Sequence, residues 1–329
     1  MRPARSFVSV FALGTGLALA VGASPSWAKP SDRTGPPPAT DFWREVIEPH
    51  AEQVRRLVDN ARQQISYAEG VITGEVDPIR RMRAYRAAYA MMMRARRLSP
   101  HSLDVLAMLG ISADEIGKTR EAVDAFRGYL AITTEDKANA EITGRLGAIY
   151  LRLGDAETAL HYLRLAHAGA PSGATLVHLA DALVMQGDRN EAIDVLVNAL
   201  PPAAQYFTND MTLVAFALAV AYDRDDRRHD AFAVLDRLKS QQVQSYAPQV
   251  QLVLAQMRFA PAADRHYYQA LLFESIEAYI EARAEWATYA ACGDSPWRAR
   301  ALEHVAAIDK LRRTKPAIDR NASTPPVTP

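Results

Sequence analysis

From residue 42 to residue 311 the apolar positions return with a period near 3.6, and hardly any segment alternates with period 2. That patterning predicts an almost wholly α-helical body. Laid over it is a longer period. A small residue is followed twelve positions later by another, four later by a bulky apolar one, and three after that by a further contact residue. The pattern occurs five times: Gly110/Ala122/Phe126/Tyr129, Gly147/Ala159/Leu163/Ala166, Ala180/Ala192/Leu196/Ala199, Ala219/Ala231/Leu235/Leu238 and Ala270/Ala282/Trp286/Tyr289. Each such unit is too small to bury its own apolar face and must stack on its neighbours, which is the logic of a solenoid.

Punctuation residues divide each unit into two antiparallel helices. Gly154 and Gly187 are placed to end first helices, since glycine enters the left-handed C′ conformation without a Cβ penalty. Asp155 and Asp188 follow as N-cap candidates, and Glu191 completes an Asp-x-x-Glu capping box. Pro171 and the pair Pro201-Pro202 close second helices, because proline cannot continue the hydrogen-bond ladder.

With these residues in place the chain resembles the tetratricopeptide repeat. Leu146-Gly147, Tyr150, Gly154, Ala159, Leu163, Ala166 and Pro171 follow that family's pattern nearly throughout, and Leu109-Gly110, Gly117, Ala122 and Phe126 form a second good copy. The resemblance covers roughly residues 102–290 and implies an all-α, right-handed superhelical solenoid of antiparallel helix pairs. Successive units are offset by 37, 33, 39 and 51 residues, against the family's period of about 34, so the joints carry insertions. The largest lies near residues 241–263, where the apolar run Val250 to Phe259 reads as an extra helix or a short strand. Residues 42–101 read as a degenerate helical pair with Met92 and Ala95 at its large and small positions. Residues 291–313 read as a capping helix over the open end, which a solenoid needs to shield its last apolar face.

The ends differ in character. Arg2 and Arg5, the apolar run Phe7 to Ala23 and the small residues before Ala28 have the form of a secretory signal peptide cut after residue 28, with an uncleaved anchor as the alternative. Residues 29–41, with Pro36-Pro37-Pro38, and 314–329 have little to bury and read as a linker and a disordered tail. Removing the leader takes two of the 38 basic residues and leaves 36 against 38 acidic ones, so no global field favours nucleic acid. The single Cys292 cannot form an intramolecular disulfide.

No Gly-x-Ser-x-Gly, Walker A loop, His-Glu-x-x-His or paired-Cys motif is present, and no cofactor or metal is expected. His161, His167 and His178 lack the i, i+4 spacing of a helical metal site. Cys292 has no neighbouring His and reads as a small turn residue. The Asn321-Ala322-Ser323 sequon carries little weight in a chain of bacterial style. Arg80, Arg83, Arg86, Arg94 and Arg97 fall on one helical stripe opposite Met82, Tyr85, Tyr89, Met92 and Met93. That stripe is either a solvated face, neutralised internally by acids such as Asp59, Glu69 and Glu75, or a site for an acidic partner.

The resemblance points to a different surface, because the first helix of each tetratricopeptide unit lines a concave groove. The matching positions include Asp104, Ile111, Asp114 and Glu115, then Leu151 and Arg152, then Val177, Asp181, Val184 and Met185, then Phe216, Val220 and Asp223, then Tyr267 and Glu274. Such a groove is acidic at its start and apolar in its middle, which suits a peptide or helix with an apolar face. It lacks the Lys and Asn of the chaperone-binding carboxylate clamp. An equal alternative has these residues packing against the chain's own next turn. The resulting expectation is a non-enzymatic exported scaffold for proteins of the cell envelope, periplasmic or secreted, without nucleic-acid partners or a stable membrane anchor. The rivals are a regulatory subunit of a cell-wall enzyme and, weakest, an enzyme whose site is assembled across repeats.

Overall fold

A computed structural model describes residues 50–69, 77–133, 139–169, 172–201, 207–241, 246–293 and 295–314, and every regular element among them is an α-helix. The leader, the proline-rich linker and residues 315–329 lie outside the described residues, as do Glu75, Pro171 and Pro202. The helices are α1 (Ala51–Ala68), α2 (Pro78–Leu98), α3 (Leu103–Glu115), α4 (Thr119–Ile132), α5 (Ala140–Arg152), α6 (Ala156–Ala168) and α7 (Gly173–Gln186). They continue as α8 (Arg189–Asn198), α9 (Asn209–Arg224), α10 (Arg228–Gln241), α11 (Ala247–Gln256), α12 (Asp264–Ser275), α13 (Tyr279–Ala291) and α14 (Arg298–Thr314). The chain forms two compact units, one up to Ile142 and one from Thr143. In the first, α1 to α4 pack in chain order and α1 also meets α3. In the second, α9 is the hub and touches α7, α8, α10, α11 and α12.

One turn recurs in five pairs: α3/α4, α5/α6, α7/α8, α9/α10 and α12/α13. The residue seven positions after the first small residue is left-handed each time: Gly117 (φ 81°), Gly154 (φ 80°), Gly187 (φ 96°), Asp226 (φ 56°) and Glu277 (φ 65°). The next N–H reaches back five residues to a helix carbonyl, from Lys118 to Ala113, Asp155 to Tyr150, Asp188 to Leu183, Arg227 to Tyr222 and Ala278 to Phe273, at 2.8–3.0 Å. These are Schellman bonds, which satisfy carbonyls that the helix end leaves unpaired. They fix how the chain leaves one helix and enters the next. The repeat is therefore a repeat of geometry even where glycine is replaced.

The small and large positions meet inside each pair. A Cβ on Gly110 would fall within the Phe126 ring, and one on Gly147 would lie 2.6 Å from Leu163 Cγ. In the other three pairs Ala180, Ala192 and Leu196, then Ala219, Ala231 and Leu235, then Ala270, Ala282 and Trp286 are all buried. Each buried large side chain contributes about 1.5–3 kcal/mol, and only where the opposing helix is small enough to let it in.

One local alternative is settled and two local expectations are revised. The run Val250 to Phe259 forms α11 followed by a loop. Asp155 caps α6 by accepting from the Thr158 N–H at 3.1 Å, but Asp188 makes no side-chain cap. The Asp188/Glu191 capping box is absent, because Glu191 turns instead to Arg164, which donates to it at 2.8 Å. Met93 is 39% exposed on the arginine side of α2, away from the buried Tyr85, Ala88 and Met92.

These contacts separate two kinds of glycine. Gly154→Ala meets nothing within 4 Å of the new Cβ and suffers only backbone strain, so it should destabilise by about 1 kcal/mol. Gly110→Ala drives a methyl into Phe126 and should cost about 1–3 kcal/mol, despite alanine's better helix propensity. Glu277→Gly should act in the opposite direction, by about 0.5–1 kcal/mol. Urea unfolding midpoints followed by circular dichroism test all three.

Candidate functional site

The inner positions divide sharply by exposure. In the first unit Ile111 and Asp114 are buried, Asp104 is exposed, and Glu115 accepts a 3.0 Å hydrogen bond from Arg81. In the second unit Leu151, Val177, Asp181, Phe216, Val220 and Tyr267 are all at or below 7% exposure. The apolar middle of the expected groove is thus packed by the chain itself. Phe216 faces Tyr268 of α12 with ring centroids 6.3 Å apart, and Tyr267 stands edge-on to Trp286 at 4.6 Å. What stays open is the far end of α5 and α7: Arg152 and Val184 are partly exposed, Leu153 is 60% exposed and Met185 is 45% exposed. Gly144 sits close to Thr175, so α5 and α7 lie side by side.

The inner ends of α9 and α12 are closed by α14. Asp223 accepts hydrogen bonds from Tyr267 Oη at 2.7 Å, from Arg300 Nε at 3.2 Å with a second from Nη2, and from His304 Nε2 at 3.1 Å. The other His304 nitrogen lies 2.8 Å from Glu274, whose carboxylate also accepts from the Trp286 indole at 2.9 Å. The imidazole stacks flat on Trp286 at 4.3 Å. The expected cap is therefore also a filler, reaching from the end of the chain to a residue some eighty positions earlier.

Arg224 lies beside this cluster with almost no exposure. Its guanidinium is 4.0 Å from the Trp297 ring centroid and 4.7 Å from that of Tyr267, and it pairs with Asp264 at 2.9 Å and Asp181 at 3.8 Å. The cavity that Arg224, Asp181 and Trp297 help to line holds about 20 Å³. That is room for a water-sized occupant and far below the space a metabolite needs.

Burial and pairing oppose each other across these groups. Burial alone would raise the Asp223 carboxyl, but the bonds from His304 and Arg300 hold it well below the usual carboxylate range. Burial works against a charged His304, yet Asp223 and Glu274 push it up to about 9, so it is an imidazolium at neutral pH. Asp181 goes the other way: burial raises it to about 7, opposed by Arg224 and helped by Asp264. Burial, with repulsion from Arg152, lowers His178 to about 4. A buried ion cluster adds little net stability over an apolar core, but removing one member leaves the others stranded.

The remaining candidates scatter. His161 and His167 are exposed on α6 while His178 is partly buried on α7, and no three His, Cys, Asp or Glu side chains converge on a metal position among the described residues. Cys292 is a half-buried free thiol at the C-cap of α13. Arg80, Arg83, Arg86, Arg94 and Arg97 all lie exposed on α2. Glu69 serves Arg81 and Asp59 lies 3.8 Å from Arg62, so neither neutralises that stripe. Among the described residues no helix is long and apolar enough to cross a membrane. Sequence reasoning placed Asp223 and Glu274 on the inner face but missed Arg300, His304 and Trp297 as what covers it. Three aromatic or cationic residues within eight positions of a presumed cap were the signal available.

The His304 cluster sets a pH dependence. A folded-state value raised from 6.5 to about 9 gives stability that is complete below pH 6.5 and lost as pH rises through 9, on the order of 3 kcal/mol. His304→Gln should remove that loss, so its melting temperature should fall less than the parent's between pH 6.5 and 9.5. Parallel curves for the two proteins would contradict this. Asp223→Ala, which strands Arg300 and His304, should destabilise at neutral pH by about 3–5 kcal/mol.

No protein-family model matches the sequence, and a search of characterised proteins gives no match. Solved structures do show likeness. The pilF protein of Pseudomonas aeruginosa aligns at 16% identity with a TM-score of 0.45, over 76% of this chain and 99% of that one. PilW, described as a widely conserved type IV pilus biogenesis factor, aligns at 16% identity and TM-score 0.44, over 75% and 97%. MamA from AMB-1 aligns at 21% identity and TM-score 0.40, over 60% and 97%. Such likenesses concern the helical fold alone. That fold, read from the small and large positions and from five copies of one turn, is an all-α array of antiparallel helix pairs resembling tetratricopeptide repeats.

Proposed function

We propose that this chain is a non-enzymatic scaffold that holds a partner protein through a peptide or helix laid against the open ends of α5 and α7. The observation that supports this most is the contrast along the inner face. From α9 onward α14 and Trp297 cover it, whereas Leu153 and Met185 stay exposed on a stack of helices braced from beneath by buried residues such as Leu151 and Val177. A rigid ledge with a few apolar side chains suits an amphipathic segment laid with its apolar face against it. The leader-like N-terminus supports export to the cell envelope, and there the partner is expected.

The exposure pattern changes which substitutions are informative. Phe216→Glu would bury a charge in the core and report only on folding. Positions 153 and 185 test the surface itself. A photocrosslinking residue placed there in the full chain, tagged after Pro329, should give a discrete partner adduct in cells. The same residue at position 232, exposed on α10, should not. Met185→Glu should weaken capture from position 153 at least tenfold with helix content unchanged. Equal labelling from all three positions, or none from 153 and 185, would sink the reading.

A further inference from the structure

Helix α2 carries seven arginines and no Asp, Glu or Lys in 21 residues, in a chain whose formal net charge is zero. One of the seven is used internally. Arg81 turns toward the packed side, donating to Glu69 and Glu115 at 3.0 Å each. Arg80 rests over the Tyr67 ring at 5.4 Å. Arg83, Arg86, Arg94, Arg96 and Arg97 have no carboxylate partner among the described residues. Arg80, Arg83, Arg86, Arg94 and Arg97 occupy about 120° of the helix circumference and run about 25 Å along it. The buried Tyr85, Ala88, Met92 and Ala95 occupy the other side. Like charges one turn apart repel, and nothing among the described residues offsets this.

The same outer face also carries apolar groups. Ile79 is 66% exposed within the arc of the arginines, Met93 is 39% exposed at its edge, and Tyr67 is 46% exposed beneath Arg80. A carboxylate-rich protein surface would satisfy the guanidinium groups and leave these side chains without a partner. A phospholipid layer offers both: phosphates that match the arginine fork, and a hydrocarbon boundary for Ile79, Met93 and the Tyr67 ring. We propose that the outer face of α2 docks the protein on the surface of an anionic phospholipid bilayer, as a peripheral and salt-sensitive contact independent of the ledge on α5 and α7.

The test is cosedimentation of the full chain with vesicles of about seven parts phosphatidylcholine to three of phosphatidylglycerol, against vesicles of phosphatidylcholine alone. The apolar residues 7–23 are common to every variant, so differences between variants read α2. Each arginine near such a surface is worth about fivefold in partitioning. Arg83→Gln with Arg94→Gln should therefore lower binding to the anionic vesicles about 25-fold, and Ile79→Ser should lower it further. Raising salt from about 50 to 500 mM should erase the parent's preference for anionic vesicles. Circular dichroism confirms that the variants remain folded, which these exposed positions allow. Three results would overturn the proposal: equal binding to both vesicle types, a double variant that binds like the parent, or retention on immobilised polyglutamate with none on anionic vesicles. The last would assign the face to an acidic protein instead.

Discussion

The closeness of two helices within a pair is the constraint from which the rest of this structure follows. A helix of thirteen residues is about 20 Å long and has one apolar stripe to bury. Its partner can cover that stripe only where a glycine or alanine lets the backbones approach. Gly110 opposite Phe126 and Gly147 opposite Leu163 meet the condition with no space to spare. The Schellman turns then reverse the chain in the same way in each of these pairs. Stacking follows, because each pair still has an uncovered flank that only the next pair can bury.

The second unit adds a different kind of cohesion at its end. Arg300, His304 and Trp297 carry polar and aromatic groups onto Asp223, Glu274 and Arg224. Desolvating so many charges contributes little net free energy beside an apolar core. Its effect is directional. Leucines would accept α14 in several registers, whereas an imidazolium clasped between two carboxylates and stacked on Trp286 fits in one. The helix pairs are held by shape and the last helix by charge.

That division explains what the sequence made legible. Helix pairs depend on local spacing, so Gly154, Leu163 and Trp286 could be assigned roles by counting positions, and the degenerate pair α1/α2 emerged from the same count. Asp226 and Glu277 were invisible as left-handed residues, because neither residue type signals that conformation. The extent of the groove depends on contacts some eighty residues apart, between α9 and α14, and no periodicity reports them. Phe216, Val220 and Tyr267 therefore read equally as groove wall or as core, and their burial decides for core. Glu191 shows the same limit at short range: its spacing fits a capping box, but Arg164 from the neighbouring helix competes for its carboxylate.

The long reach of α14 also has a consequence in time. A chain emerging from its N-terminus completes α9 and α12 well before Arg300 and His304 appear. Until then Asp223 lacks its bonds from Arg300 and His304, and water is the natural partner for that side of the carboxylate. The inner ends of α9 and α12 stay open to water in that interval and close only when α14 arrives. For this protein, the arrival of α14 and the closing of the inner ends of α9 and α12 are a single event.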